Sequence, residues 1–139
     1  MKLVVEEPES AALREWLGTD AAMVSSAIGH IETMRAVAIA AETERSGGRE
    51  SDTMRDAATA VLQRVELLAL DNATIERASS VAPARLRTLD AVHLASALAV
   101  VGLTALVTYD DRLAEAARSA GISVVQPGRE SVGVADEDL

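Results

Sequence analysis

The sequence predicts an α/β protein built on a parallel sheet, and three observations carry that reading. Short apolar runs alternate with longer amphipathic ones along the chain, the pattern of strands joined by crossover helices. There is no Phe, one Trp (Trp16) and one Tyr (Tyr109), so the core must come from Ala, Val, Leu and Ile, which suits parallel strands under close-packed helices. The strong breaks, Ser46-Gly47-Gly48, Pro83, Gly102, Gly121 and Pro127-Gly128, fall between the runs. At 139 residues the chain is read as one domain, residues 1–139, long enough to bury about two-thirds of its unfolded surface. Residues 130–139 read as a flexible acidic tail.

Taken in order, residues 9–18 form a helix with Ala12, Leu13, Trp16 and Leu17 on one face and Gly18 at its end. Ala22-Met23-Val24 is a short strand. Ser25 and Ser26 offer N-caps to a long helix over 27–45, whose inward stripe is Ile28, Ile31, Met34 or Arg35, Ala38 and Ile39. A helix near 51–63 turns Met54, Ala57, Ala58, Val61 and Leu62 inward. Leu67-Leu68-Ala69-Leu70 is the next strand, and Asp71 caps the helix after it. Leu89 to Val101 is apolar nearly all round, a buried helix closed by Gly102. Thr104–Val107 is a strand, Asp110–Ala120 a helix stopped by Gly121, and Ile122–Val125 the last strand.

Composition excludes several classes. No apolar run reaches the roughly 18 to 20 residues that span a bilayer, and Met1-Lys2-Leu3-Val4-Val5 runs into Glu6-Glu7-Pro8-Glu9 without a signal-peptide pattern. Zero cysteines remove disulfides, thiolate zinc and a thiol nucleophile. A cytoplasmic protein with no membrane partner is expected. Net charge is −9, and without Asp136, Glu137 and Asp138 still −6, so RNA binding by a bulk positive field is disfavoured unless a divalent cation supplies local charge. Twelve of the 13 basic residues are Arg and only Lys2 is Lys. A phosphoacceptor receiver or haloacid dehalogenase phosphatase needs a downstream Lys, and a dinucleotide enzyme needs a glycine loop after a strand; neither is present.

Ligands of open parallel sheets sit beyond the carboxyl ends of the strands, and that rule selects acids. Asp110 and Asp111 follow Leu106-Val107-Thr108-Tyr109. Glu32 lies one to two turns into the helix after the first strand, and Asp90 opens the most apolar helix. Carboxylates gathered there repel one another unless a cation neutralises them. An oxygen-only donor set points to Mg²⁺ or Mn²⁺ rather than zinc. Plain structural readings stand beside these. Glu32 can be a solvated residue paired with Arg35, Asp90 a first-turn acid favoured by the helix dipole, and Asp110 an N-cap. His93, three residues after Asp90, reads as a hydrogen-bonded core residue rather than a ligand, and His30 as structural or exposed. Glu6, Glu7, Glu9, Glu42 and Glu44 read as solvated charge. Tyr109 packs at the mouth of the site or stacks a base. Arg85, Arg87 and Arg112 flank the acids and suit either phosphate or surface carboxylates.

These segments resemble a known family. Leu86-Arg87-Thr88-Leu89-Asp90-Ala91-Val92-His93-Leu94-Ala95-Ser96-Ala97 is similar to the "L-D-A-hydrophobic-H-L-A-x-A" segment of PIN-domain ribonucleases of the VapC toxin type. Leu106-Val107-Thr108-Tyr109-Asp110-Asp111-Arg112-Leu113 resembles their "V-T-x-D-x-x-L" segment, and Ser25-Ser26-Ala27-Ile28-Gly29-His30-Ile31-Glu32 the stretch carrying their helix glutamate. Val5-Glu6-Glu7-Pro8-Glu9-Ser10 is similar to the turn after their first helix. The resemblance covers the whole chain. It implies a three-layer α/β/α PIN-like fold and a Mg²⁺-dependent endoribonuclease cutting structured RNA such as tRNA. It implies a homodimer silenced by a VapB-type antitoxin, and Glu32, Asp90 and Asp110 as catalytic carboxylates holding the metal. Asp111, Thr108 and Arg112 stand next to them.

One departure from the family is expected to matter. Its pattern opens with a strand ending in Asp, like "Y-L-D-x-S-A-L-V-K-L", and Met1-Lys2-Leu3 matches only the end of that pattern. The expectation is therefore a sheet without its central first strand, weakened metal binding, and little or no nuclease activity from residues 1–139. A GUG start codon misassigned at Met1 would account for the difference. The alternative reading is a non-catalytic toxin that binds antitoxin.

Overall fold

The computed structural model describes residues 2–43 and 48–129. The expected acidic tail, the Ser46-Gly47 break and the end of the long second helix lie outside them. Helix α1 (Ser10–Leu17) stops at Gly18, whose N–H donates to the Arg14 carbonyl. Strand β1 (Met23–Ser26) passes directly into α2 (Ala27–Thr43). Of the two proposed caps only Ser26 engages, its hydroxyl accepting from the Ile28 N–H at 3.4 Å. After α3 (Gly48–Leu62), strand β2 (Val65–Leu68) begins two residues earlier than expected. Helix α4 (Asn72–Ser80) is capped by Asp71, which accepts from the Thr74 N–H at 2.8 Å as the sequence predicts. Helix α5 (Thr88–Ala99), strand β3 (Leu106–Val107), helix α6 (Asp111–Ser119) and strand β4 (Val124–Val125) complete the order.

All strand pairing among the described residues is parallel, but it does not form one sheet. β1 pairs with β2, Met23 opposite Val65 and Ser26 opposite Leu68. β3 pairs with β4, Leu106 opposite Val124 and Val107 opposite Val125. The two ribbons are not hydrogen-bonded to each other. Between them lies an open cavity of about 1110 Å³, lined by β1, β2 and β3, by Leu3, Val4 and Trp16, and by His93 and Ser96 of α5.

The core sits under α5 and α6. Leu94, Leu113, Ala116 and Ala117 are buried together, with Leu86, Leu106, Ile122 and Val124 packed around them. Two expectations are corrected here. In α2 the inward residue is Val37, 1% exposed, whereas Ile31 and Ile39 of the expected stripe are 56% and 58% exposed. That helix carries apolar residues on nearly every side, so periodicity cannot choose its face. Helix α5 is likewise not buried all round: Ala91, Val92, Leu94, Ala95 and Ser96 are inside, but Leu89 and Leu98 face outward. Trp16 is also exposed, at the rim of the cavity. Gly128 has a structural reason. Its φ is +82°, and a Cβ there would lie 3.1 Å from both Glu9 Cα and Ala12 Cβ, so only glycine lets the C-terminal turn close onto α1.

Candidate active site

The chain turns from β3 into α6 at Asp110. Its Oδ1 accepts the Arg112 and Leu113 N–H groups at 2.9 and 3.0 Å, satisfying two of the orphan donors of a helix start. The Leu113 N–H, seconded by that of Arg112, holds the Asp110 carboxyl below the usual carboxylate range. Thr108 shapes the same turn, its hydroxyl accepting from the Asp110 N–H at 3.2 Å. The capping reading of Asp110 is thus correct, and it leaves Oδ2 outside the cap.

Asp90 stands in the first turn of α5. Its Oδ2 is buried and has no hydrogen-bond partner among the described residues. Burial pushes its carboxyl above the ordinary value, the Asp110 charge adds to that, Arg87 and His93 oppose it, and Glu32 raises it further. A buried acceptor without a donor, under the repulsive influence of two other carboxylates, is a place where positive charge is favoured.

Glu32 comes from α2 and lines the cavity beside His93. Its Oε2 lies 2.6 Å from His93 Nε2. Its partner is thus not Arg35, as the plain structural reading had it, but a residue 61 positions away. His93 is a hydrogen-bonded residue, as its sequence reading held, while the identity of its partner was not foreseen. The signal that was available is its place one turn after Asp90 on the same helix.

The rim carries the remaining candidates. Asp111 is exposed and pairs with Arg129 at 2.7 Å. Arg112 is exposed, and its backbone N–H is the group used in the cap. Tyr109 donates to the Pro127 carbonyl at 2.7 Å, and the Lys2 ammonium and Arg129 guanidinium lie 4.7 and 5.5 Å from its ring centroid. Tyr109 thus packs at the mouth. Three acids read as solvated are paired instead: Lys2 binds Glu7 and Glu9 at 2.7 and 2.8 Å, and Arg14 binds Glu6 at 2.6 Å. His30 is exposed.

Asp110 and Glu32 both lie within electrostatic reach of Asp90, each pushing its carboxyl upward. Even so, no group of three or more His, Asp or Glu side chains among the described residues is gathered tightly enough to hold one metal ion. The donor chemistry, carboxylate oxygens with one orphaned and buried, fits a hard divalent cation. The spacing leaves the set open.

In an open α/β arrangement ligands gather beyond the carboxyl ends of the parallel strands, which is where Asp110 stands at the turn from β3 into α6. Comparison with known proteins narrows the class. A model of the PIN domain matches residues 1–119. The chain is 41% identical over 128 residues to Ribonuclease VapC46 of Mycobacterium tuberculosis (strain ATCC 25618 / H37Rv), covering 91% of each chain. It is 40% identical over 134 residues to Ribonuclease VapC47 of M. tuberculosis (strain CDC 1551 / Oshkosh), covering 91% of this chain and 90% of that one. Ribonuclease VapC35 of the same strain is 37% identical over 134 residues, 93% of this chain and 92% of its own. No solved structure matches the chain. The chain belongs to the PIN-domain family, with VapC-type ribonucleases among its relatives. Among the described residues no helix is long and apolar enough to cross a membrane.

Proposed function

We propose that this chain is a metal-dependent endoribonuclease toxin acting on structured RNA such as tRNA and neutralised by a VapB-type antitoxin. The observation that carries the reading is the buried, unpartnered Asp90 Oδ2, on a carboxyl that both Asp110 and Glu32 push upward, in a chain whose relatives are ribonucleases. Glu32, Asp90 and Asp110 would hold Mg²⁺, or Mn²⁺ with its like preference for oxygen, directly or through water. When bound, such an ion acidifies a water and stabilises charge on the scissile phosphate.

The chain's own residues do the rest. The α6 cap holds Asp110 ionised and fixed in direction. Burial keeps Asp90 poorly solvated, so it gains from any cation brought beside it. Arg112 and Arg87 stand near these acids with guanidinium groups suited to phosphate. A basic antitoxin segment is complementary to the same acidic region, and exposed Ile31 and Ile39 on α2 offer apolar surface to a second copy in a homodimer. A cytoplasmic location fits these partners.

A specific observation favours a second reading, a non-catalytic chain that binds antitoxin. The acids are not gathered into a three-ligand cluster among the described residues, and a cavity divides the sheet beside them. The deciding experiment is Mg²⁺-dependent cleavage of total tRNA by residues 1–139, beside a version lengthened upstream by one strand, about 5 to 10 residues. Asp90→Asn in both is the contamination control. Cleavage by either form that Asp90→Asn abolishes supports the nuclease, and cleavage by the longer form alone makes residues 1–139 weakly active or inactive. Antitoxin binding without cleavage by either form favours the second reading.

A further inference from the structure

We infer that His93 is a positioning residue, which ties the Glu32 carboxylate to the half of the molecule that carries Asp90 and Asp110. The inference rests on the metal reading of the site and assigns a task to a residue outside the three acids.

Asp90 and Asp110 sit on α5 and at the start of α6, which share one buried core. Glu32 sits on α2, which follows β1 and packs on α3. The two pairs of strands do not hydrogen-bond to each other, and the cavity of about 1110 Å³ lies between them. Packing of α5 on β1, which runs into α2, brings the two halves together, but no strand hydrogen bond fixes where the Glu32 carboxylate stands relative to the other two acids. Among the described residues, the 2.6 Å contact from His93 Nε2 to Glu32 Oε2 is the one side-chain hydrogen bond joining α2 to α5.

Its surroundings are shaped for that contact. A Cβ built on Gly29, one turn before Glu32, would lie 3.8 Å from His93 Cε1 and 2.3 Å from Ser25 Oγ. The imidazole thus lies over a bare stretch of α2, and a larger residue at position 29 would displace Ser25 at the end of β1. His93 is the more enclosed partner, its side chain 22% exposed against 40% for Glu32. The bond engages Oε2 of the Glu32 carboxylate and leaves Oε1 outside it. Carboxylates that bind metals are themselves oriented by outer hydrogen bonds, and losing such a partner typically weakens metal binding about 10- to 100-fold.

The test is Mn²⁺ binding to the full chain, read by the paramagnetic resonance of free Mn²⁺, with circular dichroism as the folding control. His93→Leu is expected to weaken Mn²⁺ binding about 10-fold or more. His93→Gln, whose amide nitrogen reaches close to the place of Nε2, restores most of it; His93→Asn, one bond shorter, does not. In a Glu32→Gln background, His93→Leu has no further effect, because His93 acts through Glu32. Should His93→Leu fail to fold, the Gln and Asn pair carries the comparison. Equal Mn²⁺ affinity in wild type, His93→Leu and His93→Asn overturns the inference and leaves the metal reading standing. Gln failing where Asn fails, or a full His93→Leu effect in the Glu32→Gln background, also overturns it. Absence of Mn²⁺ binding by the wild type overturns the metal reading itself and the inference with it.

Discussion

The two halves of the sheet are built to different standards. Around β3 and β4, helices α5 and α6 interlock through Leu94, Leu113, Ala116 and Ala117, all at most 6% exposed. Around β1 and β2, helices α2 and α3 pack mainly on each other, and each buries a single residue, Val37 and Ala58. Alanines at the α5–α6 contact let the helices approach closely, so modest side chains fill the space at native density. Two acids of the site stand on the dense half and one on the loose half. The accuracy of the site then depends on what joins the halves.

The largest expected effect tests that contrast directly. Leu94 is fully buried at the centre of the dense half, and Leu94→Ala is expected to destabilise by about 2–5 kcal/mol through lost transfer energy and a residual cavity. Val37→Ala, on the loose half, removes less volume beside a region that can collapse, and about 1–2 kcal/mol is expected. Urea unfolding of both variants measures the difference. Equal losses would mean that α2 is held as firmly as α5, and the asymmetry would be wrong.

Next in size is Asp110, where cap and site coincide. Asp110→Ala removes the acceptor of two helix N–H groups and is expected to lower stability by about 1 kcal/mol and to abolish any Mg²⁺-dependent cleavage. Asp110→Asn keeps an acceptor of similar capping strength, so stability stays near wild type while cleavage is still lost. Thermal melts in EDTA beside the tRNA assay separate the two roles. A large stability loss in the Asn variant would show that the charge, and not the cap, holds the turn.

The same contrast decides what could be read from the sequence. Helices α4 and α6 were legible because their caps are local: Asp71 and Asp110 bond to residues two and three positions ahead. Asp110 was legible as a candidate because strand ends collect ligands, and Asp90 because it opens the most apolar helix. The face of α2 was not, since Ile28, Ile31, Met34, Val37 and Ile39 surround its axis and only the tertiary partner selects Val37. The start of β2 was missed because Val65-Glu66 places a charge in a strand, which an exposed position tolerates. The pairing of β1 with β2 and of β3 with β4 is set by contacts between segments far apart in the chain, which no local pattern encodes. The Glu32–His93 bond spans 61 residues, so it emerges only when α2 and α5 are laid side by side.

The smallest expected effect has the opposite sign to that of Asp110, and it tests whether the site carries strain that the dense half tolerates. Burial and the neighbouring acids raise the Asp90 carboxyl, so the folded state holds its proton more tightly than the unfolded chain does. Ionised Asp90 therefore subtracts from stability at neutral pH, and that penalty fades as pH falls through the raised value. Asp110, held low by backbone N–H groups, adds stability above its unfolded value and loses it as pH falls through the depressed one. In metal-free protein, Asp90→Asn is expected to gain on the order of 0.5 kcal/mol at pH 7, because an uncompensated buried charge is removed. The advantage over wild type should shrink on acidification and vanish once Asp90 is protonated. Melting curves in EDTA from neutral pH to the ordinary carboxylate range measure it. A destabilised Asp90→Asn at neutral pH would mean that the ionised carboxylate has a stabilising partner, and the orphaned oxygen would then no longer support a cation beside it.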